Sequence, residues 1–412
     1  MANMLWGNVY YKDFYAGRLQ EEPGRRVSFT YDESYLQAMH PAIAYTLPRQ
    51  SAPFISEQGL HSFFDNLVAE GWFRNAQAKA LGLDPKNRFS LLLGFGYDLA
   101  GAVSIIDPEP QEHRQLDHTD EATLAALLGR ASISGVQRKL LVVKEGAAFR
   151  PVRPNELSTY IAKLASGNLN HLLELEYLTT LAVTHLLPND KVVTMELAMI
   201  PSIHETALVI PRFDRSMTGK RLHHFEEFNQ LLGKSSGDAK YDGGYEEMGQ
   251  FILNSPGTIP AEADRLFRRI LACLLVGNTD AHFKNFAMFH TREGLRLTPL
   301  YDLVASSIYR EYQSIALNVC NIRNMAIGQL DAKHLIRMGL GFGVKGGAVV
   351  EATESLGKQL PHAMAAVEKS PIGTPLLRKK LIEMMEKRWN GSFALTGSRL
   401  LRKQGKDEKR KG

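Results

Sequence analysis

Cysteine is scarce, with two in 412 residues, Cys273 and Cys320. That is too few for the disulfide frameworks that hold small secreted domains together. Cys273 lies inside the apolar run Ile270–Val276, so a reducing compartment, the cytoplasm, is expected. No apolar run approaches the roughly 20 residues that span a bilayer, and no membrane role is expected. The opening MANMLWGNVYYKDF lacks a basic stretch followed by an apolar one, so no secretory leader is expected. Repeats of 20–50 residues are missing. So are the GxxxxGK[ST] pattern of P-loop NTPases and any zinc-finger, heptad or homeodomain spacing. What is present is ordinary for a folded chain: 44% hydrophobic and 23% charged residues, enough for a sizeable core in two to four domains.

A strong charge of one sign is also missing from most of the chain. Lys and Arg number 49 against 44 Asp and Glu, a net of +5, and +4 of that sits in RKQGKDEKRKG, residues 402–412. The body is nearly neutral. Such a tail is ordinarily a solvated end; its sharper alternative is contact with nucleic acid or an acidic partner.

The polar stretch DPEPQEHRQLDHTDE, residues 107–121, reads as a linker. Before it, RRVSFTY reads as a strand and residues 63–83 carry apolar side chains at helical spacing. After it, Leu140–Val143 and Tyr160–Leu164 read as strands. NLNHLLELEYLTTLAVTHLL reads as a helix, and KVVTMELAMI and ALVIPRFDR as further strands. From Glu226 onward the texture is helical, apart from a mixed patch around 278–304. Strands, one helix, more strands and then mainly helices predict an α+β body with two lobes.

The chemistry concentrates in GNTDAHFKNF, residues 277–286. Asp280 and Asn285 stand five apart, with His282 and Lys284 between them, behind the apolar helix LFRRILACLLV. This is the spacing of a phosphotransfer loop: a carboxylate orients an attacking hydroxyl and takes its proton, and an amide oxygen reaches a magnesium ion on the nucleotide. An amide suits a hard cation without adding negative charge beside phosphates. Seventeen residues on, Tyr301 and Asp302 fall at the end of the strand-like run LTPLYD, where a carboxylate can serve the same magnesium. Upstream, ASISGVQRKLLVV places Gly135 before a strand, so backbone N–H groups can approach phosphate oxygens closely. Lys163, in Y-I-A-K on a predicted strand, matches a lysine that grips α- and β-phosphates. Glu176 on the next helix is its candidate partner.

Together SxSGxQxK, GNxDxHxKNF and the YD after an apolar run resemble the HipA family, bacterial serine/threonine-protein kinases that act as toxins of toxin–antitoxin pairs. FFDNLVAEGWFR and GYDLAGAV resemble its N-terminal subdomain, VIPRFDR its interlobe segment, and KYDGGYEEM its C-lobe loop. The resemblance implies a two-lobed protein-kinase-like fold: an N-terminal subdomain at 1–110, a β-rich lobe at 111–224 and a helical lobe at 225–412. It implies ATP and magnesium as cofactors, with Asp280 as catalytic base and Asn285 and Asp302 on the metal. Ser134, Gly135, Val136, Gln137, Arg138 and Lys139 would cover the phosphates and Lys163 would touch them. Pro211, Arg212 and Phe213 would line the adenine pocket, although Pro211 brings no N–H to it. His282, Lys284 and Tyr301 complete the nucleotide site. Ser132 falls at the family's autophosphorylated serine, and Ser134 offers a second hydroxyl. The implied partners are a HipB-like helix-turn-helix antitoxin, operator DNA through that complex, and a protein substrate such as glutamyl-tRNA synthetase or another aminoacyl-tRNA synthetase. Two rival functions share these residues: a small-molecule or lipid kinase of the same fold, and a catalytically silent corepressor.

Overall fold

The computed structural model describes residues 5–110, Thr123, Leu127, 137–165 and 169–393. Ser132, Ser134, Gly135 and Val136, most of the 107–121 linker and the basic tail lie outside the described residues. The chain divides into two compact units: 1–168 with 194–239, and 169–193 with 240–412.

The first unit holds two antiparallel sheets. Strands β1 (Trp6–Tyr11), β2 (Phe14–Glu22), β3 (Arg26–Tyr31), β4 (Phe54–Ser56) and β5 (Val103–Ile106) are ordered β4-β3-β2-β1-β5. β1 alternates half-buried and buried positions, the pattern of a sheet with one face on a core. The periodic stretch 63–83 is two helices, Ser62–Asp65 and Gly71–Leu81. They are separated because Gly71 takes a left-handed φ of 55°, which a continuous helix does not accommodate.

Strands β6 (Lys139–Glu145), β7 (Ala148–Pro151), β8 (Tyr160–Leu164), β9 (Glu196–Ile200) and β10 (Glu205–Pro211) form the second sheet, ordered β7-β6-β8-β10-β9. The predicted strands at 140–143 and 160–164 are present, β8 with the expected ends. Of KVVTMELAMI only Glu196–Ile200 is strand. One apolar cluster, including Val9, Phe29, Phe64, Leu92, Val142, Ala162 and Val209, fills this unit.

The second unit is mainly helical. Helix Leu172–Leu186 buries Leu175, Leu178, Ala182 and Val183 and lies along the long helix Gly346–Lys369. Pro188 follows closely, and the residue before a proline avoids the helical region. Leu187 accordingly has φ −123° and ψ 62°. Helix Ala261–Leu275 buries eleven of its side chains and leads into a hairpin of Ala287–Thr291 with Gly294–Leu297. The strand-like run expected to carry Asp302 stops at Leu297. Pro299 cannot donate to a ladder, and Asp302 sits in an irregular segment with φ 57°.

Candidate active site

Helix Ala261–Leu275 is locked in the core, so the loop at its C-terminal end starts from a fixed point. Gly277 turns the chain with φ 74°, and a Cβ there would lie 2.3 Å from Ser307 Oγ and 2.5 Å from Met384 Sδ. Only glycine fits that turn. Thr279 then anchors the loop. Its N–H donates to Ser306 Oγ at 2.9 Å, its hydroxyl donates to the Tyr312 carbonyl at 2.8 Å, and its carbonyl accepts the Ala316 N–H at 2.8 Å. Asp280 is thereby held one residue from a triply fixed position.

The next residues form a 3-10 turn, Phe283–Asn285, capped by His282. His282 Nδ1 accepts the Lys284 N–H at 3.3 Å, which places the imidazole proton on Nε2 in the neutral ring. The Asn285 amide is used at both ends: Oδ1 accepts the His282 N–H at 3.0 Å, and Nδ2 donates to Asp302 Oδ2 at 2.7 Å. Tyr301 donates its hydroxyl to the Lys284 carbonyl at 2.8 Å. Asp280, His282, Lys284, Asn285, Tyr301 and Asp302 are thus one connected group inside the second unit.

Asp280 also lines a cavity of about 260 Å³ with Tyr241, Thr279, Tyr312, Ser314 and Arg323 among its walls. Its carboxylate is open to solvent there, yet its acidity is perturbed. Surrounding protein, then the like charge of Asp302, push its pKa up to about 6. Lys240 and a hydrogen bond from Tyr241 pull the other way. A carboxyl near 6 is mostly ionised at neutral pH and is a better base than an ordinary aspartate.

The other predicted residues that are described, Glu176 excepted, lie in the first unit. Lys139 on β6 and Lys163 on β8 are direct register partners, and both are buried. Gln137 Nε2 donates to the Leu164 carbonyl at 3.2 Å and Arg138 pairs with Glu205 at 3.2 Å, which fixes the chain leading into β6. Glu176, fully buried on helix Leu172–Leu186, belongs to the second unit.

The Arg212 side chain is not available to line a nucleotide pocket. Its five N–H groups donate to Asp214 Oδ1 and Oδ2, Asp98 Oδ1, Ser158 Oγ and the Leu99 carbonyl. Its backbone N–H donates to the Thr159 carbonyl at 2.9 Å. Neither Pro211 nor Arg212 therefore offers adenine an N–H.

Sequence reasoning missed Tyr241, Tyr245 and the residues from Tyr312 to Arg323. Tyr245 donates to the Ala281 carbonyl at 2.9 Å beneath the loop. The string KYDGGYEEM was the available signal, but nothing in it says which tyrosine reaches the loop.

The HipA-like C-terminal domain model matches residues 131–365, and the HipA N-terminal domain model matches residues 7–106. The chain is 25% identical over 342 residues to the serine/threonine-protein kinase toxin HipA of Shewanella oneidensis, covering 74% of this chain and 76% of that one. It is 28% identical over 325 residues to Y4dM of Sinorhizobium fredii, covering 73% and 77%. Among solved structures it is similar to HipA in the Shewanella oneidensis MR-1 complex of HipA, HipB and operator DNA. The TM-score is 0.74 at 21% identity, over 95% of this chain and 99% of that one, a likeness of fold.

Proposed function

The chain belongs to the HipA family of serine/threonine-protein kinase toxins, and on that premise we propose that Asp280 is the base of an ATP-dependent transfer to a protein hydroxyl. The observation that carries this reading is the join between Asn285 and Asp302 at 2.7 Å, with Asp280 electrostatically coupled to the same Asp302. Spacings of five and seventeen residues converge on one place.

The donor set at that place suits a hard divalent cation. Asp302 supplies a carboxylate and Asn285 an amide oxygen with a second lone pair beyond the one given to His282, and the donors are oxygens throughout. The like charges of Asp280 and Asp302 are what a cation would relieve. Asn285 and Asp302 would hold magnesium, which neutralises charge on the transferring phosphates. Asp280 would accept the proton of the acceptor hydroxyl as its oxygen bonds to the γ-phosphorus. The bond from that phosphorus to the β,γ-bridging oxygen breaks, and ADP leaves. The cavity beside Asp280 would receive the acceptor side chain.

In the first unit, Lys139 and Lys163 face each other across one register pair. An anionic group held at this pair would meet both cations. Together with Ser134, Gly135, Val136, Gln137 and Arg138 they would bind the triphosphate, and the 211–213 segment would meet adenine through groups other than the N–H of 211 or 212. In this reading 1–110, 111–224 and 225–412 act as subdomain, nucleotide lobe and catalytic lobe. Phosphorylation of Ser132 or Ser134 would add roughly −1.5 to −2 charge beside the phosphates and switch the enzyme off. A HipB-like antitoxin on operator DNA would be the partner and an aminoacyl-tRNA synthetase the target, in the cytoplasm.

Incubation with labelled ATP and magnesium tests the core of this. Wild type is expected to label itself and a protein acceptor, and Asp280→Asn to lose roughly 10²–10⁴-fold in rate while still binding ATP. Near-normal transfer by that variant would remove Asp280 from the role. Labelling of small molecules or lipids alone would favour the rival kinase reading, and nucleotide binding without transfer the silent corepressor.

A further inference from the structure

We propose that Tyr241 is a positioning residue for phosphoryl transfer, its hydroxyl holding Asp280 in the orientation from which it receives the acceptor's proton. The inference rests on Asp280 being the base.

The geometry comes from three sides. Tyr241 Oη donates to Asp280 Oδ1 at 3.2 Å, which engages one carboxylate oxygen and leaves the other for chemistry. The Tyr241 ring is itself held: the His282 ring meets it edge-on at 5.1 Å and 75°, and Lys240 Nζ lies 5.2 Å from its centroid. His282 caps the turn that carries Asn285, so the ring touches both halves of the proposed machinery. The segment just after Tyr241 is tied to the same loop. Asn318 N–H donates to the Gly243 carbonyl at 2.8 Å, and Tyr245 donates to the Ala281 carbonyl. The main chain at Tyr241 and at Asp280 is therefore mounted on one frame, and what the hydroxyl adds is the orientation of the Asp280 carboxylate.

The carboxylate needs such a restraint. Asp302 repels it, Lys240 attracts it, and Arg323 lines the same cavity, itself paired with Asp242 at 3.1 Å. These charges pull in different directions and act at long range, so they set no single rotamer. A hydrogen bond is directional and does. Tyr241 and Asp280 also share the cavity, so an entering acceptor meets the pair together.

The test is steady-state ADP release from magnesium ATP with water as acceptor, backed by single-turnover measurement for slow variants. Tyr241→Phe keeps the ring contacts and deletes the hydroxyl. We expect kcat to fall roughly tenfold to a hundredfold, the scale of a misplaced catalytic group, with KM for ATP within about twofold and an unchanged melting temperature. In the Asp280→Asn background the same change should have no further effect, because the group it positions is gone. Wild-type kcat in Tyr241→Phe, with Asp280→Asn inactive, overturns the positioning role and leaves Asp280 as base. An undiminished Tyr241→Phe effect in the double variant overturns it as well. An active Asp280→Asn removes the base and this inference with it.

Discussion

In the first unit, Asp98 and Asp214 are buried against Arg212 and Arg215, with contacts of 2.7–3.1 Å. In the second, Asp280 lines a cavity and feels the charge of Asp302, to which Asn285 is bonded. Burial acts on both pairs in the same direction, raising the pKa of an acid. For Asp98 the two arginines and the Ser158 hydrogen bonds more than reverse it, holding the carboxyl at about 2. For Asp280 the like charge adds to it, and the result is about 6. Two carboxylates among matched cations form a rivet between chain segments over a hundred residues apart. A carboxyl raised by a like charge instead of lowered by cations has the perturbed acidity common at functional sites.

The largest expected effect breaks the rivet. Asp98→Ala leaves the buried Arg212 and Arg215 guanidinium groups with only one of their two shared acids, Asp214, and removing one partner of a buried pair typically costs about 3–5 kcal/mol. Urea unfolding followed through the first unit should show a midpoint lowered to match. Unchanged stability would mean that the network contributes packing and little charge pairing.

The next prediction uses pH to pull the two sets apart. As the proposed base, Asp280 would have to be ionised to accept a proton, so transfer at saturating nucleotide should fall as pH drops through about 6. The Asp98 set contributes stability above the unfolded value of 3.8, lost only as pH falls toward about 2. Between these limits the enzyme should be folded and slow, by circular dichroism and ADP release on the same samples. Loss of fold and of rate together near pH 6 would contradict the contrast.

The same comparison explains what is legible in the sequence. Asp280, His282, Lys284 and Asn285 fall within six residues and Asp302 only seventeen further on, so spacing alone puts them together. The strands carrying Lys139 and Lys163 stand out as short apolar runs. Asp98 and Arg212 are 114 apart in the chain, and no periodicity links them. The family resemblance suggests a pocket role for Arg212, whereas tertiary structure engages every side-chain N–H it has. Asp302 shows a milder failure. Its apolar flank suggests a strand, but Pro299 and a left-handed φ set its conformation, and aspartate tolerates that region better than most residues.

The smallest effect carries the opposite sign from the first. The folded pKa of Asp280 lies above its unfolded value of 3.8, so the folded protein binds the proton more tightly than the unfolded chain. The stability linked to that proton is full below about 3.8 and is lost as pH rises through about 6. At pH 7.5 the ionised carboxylate therefore works against the fold. Asp280→Asn should raise the melting temperature of the nucleotide-free, metal-free protein at that pH, while losing activity. Because the carboxylate is open to solvent, screening should keep the gain below ~1 kcal/mol, and it should shrink toward zero near pH 4. A variant destabilised at pH 7.5 would show that Lys240 and Tyr241 hold the ionised carboxylate more firmly than burial and Asp302 oppose it. In that case the second unit's acids would follow the same rule as the first's.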